Sequence, residues 1–176
     1  MLSITFNQWF AEYLQQDQLQ VERLLKDETA IQFLIVWSIL ESRCFDGYTK
    51  VNNLSGFARV VTENNAFQND DFLEFGRYFH SRYQSKKRYN NLIYKNKNNS
   101  IEFNGIISTQ FDILSDYQLI FMLLFVVYRF RNNIFHGNKG VESWLKYKEQ
   151  IDFCRRIMQS IISLIIGTDK NEKNAK

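Results

Sequence analysis

The chain has 176 residues with 23% charged and 45% hydrophobic side chains, and it carries a net charge of +3 at pH 7. That length fits one domain with its own apolar core, and 16 Phe, 9 Tyr and 3 Trp predict an aromatic one. The absence of proline and the seven glycines argue against an all-β sandwich, while two cysteines outside any CxxC pair exclude a disulfide framework and point to a reducing, cytoplasmic setting.

The start of the chain lacks the basic residues and the apolar run of a signal peptide. Residues 3–15 predict a first helix whose apolar contacts are Trp9, Phe10 and Tyr13. Asp27 is placed to cap the next helix, which runs to about Cys44. Its apolar residues, from Ala30 to Leu40, cover nearly every face, the pattern of a central helix. Shorter helices follow over 54–62 and 72–83, with apolar positions three or four apart.

Between Gly76 and Ile101 there is no acidic residue, yet Arg77, Arg82, Lys86, Lys87, Arg88, Lys95 and Lys97 all fall there. The segment carries +7 and leaves the remainder of the chain at −4. Such a field attracts polyanions, and Tyr78, Phe79, Tyr83, Tyr89 and Tyr94 interleave with the cations, as suits single-stranded RNA. A solvated basic face is the plainer reading, and His80 within it reads as a surface or packing histidine. Residues 90–105 turn Asn-rich, with apolar patches at 92–94 and 101–103, consistent with a small β-hairpin or an exposed loop.

Ser115 and Gln118 have the spacing of a capping box. A second central helix runs from them to about Phe135, and Gly137 ends it. Its most apolar stretch, Leu119 to Tyr128, is bounded by Gln118 and Arg129. It falls short of the roughly 20 apolar residues a bilayer span needs, so no membrane association is expected. From Val141 a last helix carries Trp144, Ile151, Cys154, Met158, Ile161, Ile162 and Ile165 on one face. The expected architecture is all-α, a four-helix core with smaller helices attached. It forms a single domain over 1–167, followed by a polar, disordered tail over 168–176.

Few kinds of catalytic site fit these residues. His80, His136, Cys44 and Cys154 lie too far apart for a usual zinc spacing, and no phosphate-binding glycine loop or GxSxG elbow is present. Asp70, Asp71 and Glu74 cluster where acids mark the start of a helix. What remains is Arg131-Asn132-Asn133-Ile134-Phe135-His136-Gly137, at the end of an otherwise apolar helix. On elementary grounds, Arg129, Arg131 and His136 could simply complement the helix dipole.

The same residues resemble the Rx4–6H signature of the HEPN superfamily. The specific match spans about 15 residues, Phe125 to Lys139, and elsewhere the likeness is one of helix order and pattern. The resemblance implies a HEPN-like helical bundle and a catalytic set of Arg131, His136 and the polar Asn132 between them. It also implies a metal-independent ribonuclease of the toxin or phage-defence kind, needing no cofactor. A homodimer with motifs meeting across the interface is implied too, and a small nucleotidyltransferase is one antitoxin the family suggests.

Chemistry agrees with that set. When the ribose 2′-hydroxyl attacks the neighbouring phosphate, one proton must be taken and another given. Histidine suits both transfers, and an arginine fork suits the phosphate oxygens. The motif supplies one histidine per chain, which again favours two chains. Five helical positions set Arg131 and His136 about 140° apart, so the last turn must loosen or the arginine must wrap round, whereas Asn132 and His136 share a face. Glu41, four residues after Trp37, is a candidate to orient Arg131 or else a solvated glutamate at a helix end. A non-catalytic RNA- or nucleotide-binding module and a helical adaptor stand as alternatives.

Overall fold

The computed structural model of the chain describes residues 4–64, 66–93, 100–135 and 146–174, with Phe135 and 168–174 in backbone only. Among the described residues the fold is all-helical, without a strand. In chain order the helices are α1 (Phe6–Leu14), α2 (Gln18–Leu25), α3 (Thr29–Cys44), α4 (Val51–Thr62), α5 (Asp70–Tyr83) and α6 (Lys86–Ile93). There follow α7 (Ile101–Ser108), a single three-ten turn at Phe111–Ile113, α8 (Asp116–Phe135) and α9 (Lys148–Asn174).

Local capping chemistry sets several of the starts. Ser115 and Gln118 close the expected box, the Ser115 amide donating to Gln118 Oε1 at 2.9 Å and the Gln118 amide to Ser115 Oγ at 3.3 Å. Thr5 and Gln8 form a second box at α1. Asp27 sits one residue outside the α3 cap and accepts the Thr29 amide at 3.0 Å, while its other oxygen meets Lys148 Nζ at 2.6 Å, tying the start of α3 to α9. Asp70 and Asp71 occupy the first turn of α5, as the dipole favours.

Helix α8 runs through the middle of the bundle, touching α4, α5, α6, α7 and α9, while α3 lies along α9. From Leu119 to Val127 every residue of α8 is buried, so the central position read from its composition holds. On α9, Ile151, Cys154, Met158, Ile161 and Ile162 are buried as their spacing predicts, Ile165 is half-buried, and Val141 and Trp144 lie outside the described residues. The interior is aromatic. Phe103 of α7 stacks on Phe125 of α8 with centroids 4.5 Å apart, and Phe153 of α9 meets Phe75, Tyr78 and Phe79 of α5 edge-on. At Gly76 α5 lies close against α8; a Cβ there would come within 2.4 Å of Leu119 Cδ1.

Several expectations need correction. Helix α3 is not enclosed: Ala30, Phe33, Val36, Trp37 and Leu40 are buried, but Ile31, Ile35 and Ile39 are 41–56% exposed, because neighbours cover one side only. On α1 only Phe10 is buried, in a small separate cluster with Val21 and Leu24 of α2, and Trp9 and Tyr13 face outward. Neither a hairpin nor a loop describes the ends of the Asn-rich stretch. Leu92 and Ile93 close α6, and Ile101–Phe103 open α7; helical spacing takes Leu92, Ile93 and Phe103 into the core and leaves Ile101 exposed. Residues 94–99, with Tyr94, Lys95 and Lys97, lie outside the described residues. Helix α9 continues in its backbone to Asn174, through most of the stretch expected to be a disordered tail. Among the described residues no helix is long and apolar enough to cross a membrane.

Candidate active site

The motif begins inside α8, which stays helical through Phe135; His136 and Gly137 lie outside the described residues. Arg131 is half-buried. Its Nη1 donates to Asn132 Oδ1 at 3.0 Å, and its guanidinium lies over the Trp37 ring of α3, 5.6 Å from the centroid. Trp37 is itself buried and tilts against Tyr128 one turn earlier on α8. Arg131 is thus held on two sides, by the next residue and by an aromatic face.

Glu41 is engaged at the end of α3. Its Oε1 accepts the Thr49 amide at 3.0 Å, and its carbonyl accepts the amides of Phe45 and Gly47, so it pins the turn between α3 and α4. The α3 side chain against Arg131 is Trp37, one helical turn earlier.

Two residues before Arg131, Arg129 is buried and caps another helix. Its Nε donates to the Leu92 carbonyl at 3.0 Å and its Nη2 to the Ile93 carbonyl at 2.9 Å, the last carbonyls of α6. Burial pulls its guanidinium below the ordinary arginine range, partly offset by Tyr128, yet an arginine stays charged. Its sequence signal was position, since Arg129 follows buried Met122, Phe125 and Val126 by seven, four and three residues and so shares their inward face.

Through this link the basic segment is brought against the end of α8. A pocket there is lined by Arg82 of α5, Arg88 and Asn91 of α6, Asn133 of α8 and Tyr147, over walls that include Tyr83 and Phe130. Asn133 follows Arg131 by two positions, about 200° round the helix, so the two face opposite neighbours. Asn133 was not singled out from the sequence; the available signal was a polar residue at an inward position of an apolar helix.

The cations of the basic segment divide. Arg77 turns away, paired with Asp112 at 3.2 Å and lying over Phe111. Arg82 is half-buried beside the pocket, while Lys86, Lys87 and Arg88 are exposed in the first turn of α6, where the dipole disfavours cations. The interleaved aromatics mostly serve the core: Phe79 and Tyr83 are buried, and Tyr78 and Tyr89 are half-buried. Burial pushes the Tyr83 phenol well above its ordinary value, so it stays neutral. His80 is a packing residue, its Nε2 bonded to the Thr109 carbonyl at 2.9 Å and its ring edge-on to Phe111. Among the described residues, no three His, Cys, Asp or Glu side chains converge as metal ligands would. Comparison of the chain with family models, curated proteins and solved structures yields no match.

Proposed function

We propose that the chain is a HEPN-type RNA endonuclease that needs no metal, acting in the cytoplasm as the effector of a toxin–antitoxin or phage-defence pair. The observation that carries this reading is Arg131, held between Asn132 and the Trp37 ring at the end of a buried helix, inside the Rx4–6H pattern. An arginine fixed in this way loses little freedom when it meets a phosphate, which is what electrostatic preorganisation requires.

In the proposed reaction the ribose 2′-oxygen attacks phosphorus and gives up its proton to a base. The P–O5′ bond breaks, and the departing oxygen takes a proton from an acid. The products are a 2′,3′-cyclic phosphate and a 5′-hydroxyl end. Arg131 neutralises charge gathering on the phosphate oxygens, and His136, with a reference pKa of about 6.5, carries a proton near neutral pH. Base and acid act in the same step, so a second His136 from a second chain completes the site in a homodimer. Asn132 holds Arg131, and an antitoxin, with a small nucleotidyltransferase as one candidate, restrains the enzyme.

Induced expression of the wild-type chain and of His136→Ala in a bacterial host tests this. Growth arrest with new 5′-hydroxyl RNA ends in the wild type, both absent in the folded variant, is the expected result. Identical RNA ends in the two strains would sink the assignment. A second reading, a binding module without cleavage, draws on the cation-lined pocket beside Asn133 and is favoured if RNA is bound but left intact.

A further inference from the structure

We propose that the pocket between α5, α6 and the end of α8 seats a single phosphate group, with Asn133 at its base and Arg82 and Arg88 at its sides. Asn133 is only 6% exposed, and its side-chain amide meets no hydrogen-bond partner among the described residues. Because Asn133 lines the pocket, an occupant there can accept or donate a hydrogen bond at its amide. Facing it are two guanidinium groups, and among the described residues no carboxylate lines the pocket. Arg82, Arg88, Asn91, Asn133, Tyr83 and Tyr147 can all donate a hydrogen bond, so the complementary occupant is rich in acceptors and negatively charged.

Size narrows the class. The cavity measures about 40 Å³, against roughly 300 Å³ or more for a drug-sized ligand, so it takes a small oxyanion and not a nucleobase. Tyr83 and Phe130 of the pocket wall are buried in the core, so phosphate is what the remaining donors suit. Lys86 and Lys87, exposed in the same first turn of α6 as Arg88, add to the positive charge there. The phosphate could belong to an RNA strand or to a free nucleotide. We assign it to RNA, and that assignment rests on the nuclease reading: a strand crossing the end of α8 would meet Arg131 on one side and the pocket on the other.

The test is binding of the full chain to a fluorescently labelled 2′-O-methyl RNA oligonucleotide, which cannot be cleaved by 2′-hydroxyl attack, with AMP and inorganic phosphate as competitors. Asn133→Leu and Arg88→Gln are each expected to weaken RNA binding by about tenfold or more. Asn133→Leu should do so while unfolding at the same or a higher temperature, because it replaces an unpaired amide with a similar apolar volume. Wild-type affinity for both RNA and AMP in both variants overturns the proposal. Loss confined to AMP keeps the phosphate pocket and transfers it to a free nucleotide. Cleavage is scored separately with unmodified RNA. A wild type that binds through Asn133 but never cuts removes the nuclease reading alone, whereas cutting with binding indifferent to both substitutions removes the pocket alone.

Discussion

Arg129 and Arg131 show how two residues of one type, two positions apart on one helix, come to lie in different surroundings. Arg131 is half-buried, held by Asn132 and laid on Trp37, an arrangement that orients its fork. Arg129 is buried, and its donors are committed to the carbonyls that end α6. Arg129→Met keeps an unbranched apolar stem and removes the donors, leaving two buried carbonyls without their partner. It is expected to destabilise the protein by about 2–3 kcal/mol, read as a lower denaturant midpoint at unchanged slope. Because α6 carries Arg88, the same substitution should also loosen the pocket. Neither role could be taken from the alternation of Arg and aromatic residues alone: the motif was visible at Arg131, but what Arg129 touches lies about 36 positions away in the chain.

At the scale of elements, the helices were readable wherever a cap and an apolar period coincide. The Ser115–Gln118 box, the acidic start of α5 and the inward stripe of α9 were all read correctly for that reason. The misses, α2 and the helical ends of the Asn-rich stretch, are eight-residue helices, too short for periodicity to stand out, and they depend on packing for their stability. The join between α3 and α9 is electrostatic and so depends on pH. Burial opposes ionisation of Asp27, but hydrogen bonds from Lys148 and from the Thr29 hydroxyl and amide outweigh it and hold the carboxyl below its usual value of 3.8. A depressed folded-state pKa contributes stability above the unfolded value and loses it as pH falls through the folded one. The difference in melting temperature between wild type and Asp27→Asn, which keeps the capping oxygen, is therefore expected to be constant down to about pH 4 and to shrink below it. A difference that stays constant to pH 2.5 would show that the charge contributes nothing.

For the whole molecule, the excess of positive charge over 76–101 is less uniform than its sequence suggests. Arg77 is neutralised by Asp112, whereas Arg82 and Arg88 converge on the pocket and Lys86 and Lys87 stay exposed. Only phosphate contacts release counterions, so the salt dependence of RNA binding separates these groups. Arg88→Gln should flatten the slope of log affinity against log salt by about 0.7, the single-strand value per contact, and Arg77→Gln should leave it unchanged. Equal effects from both would mean a diffuse field without a defined track.

By itself the sequence determined the helical class, the buried course of α8 and the place of the Arg131 motif at its end, because caps and a 3.6-residue period act between near neighbours. Only the tertiary structure decided that Trp37, not Glu41, lies against Arg131, and that Asn133 faces Arg82 and Arg88. Those pairings join helices distant along the chain, and they depend on how whole faces pack, which no local spacing specifies.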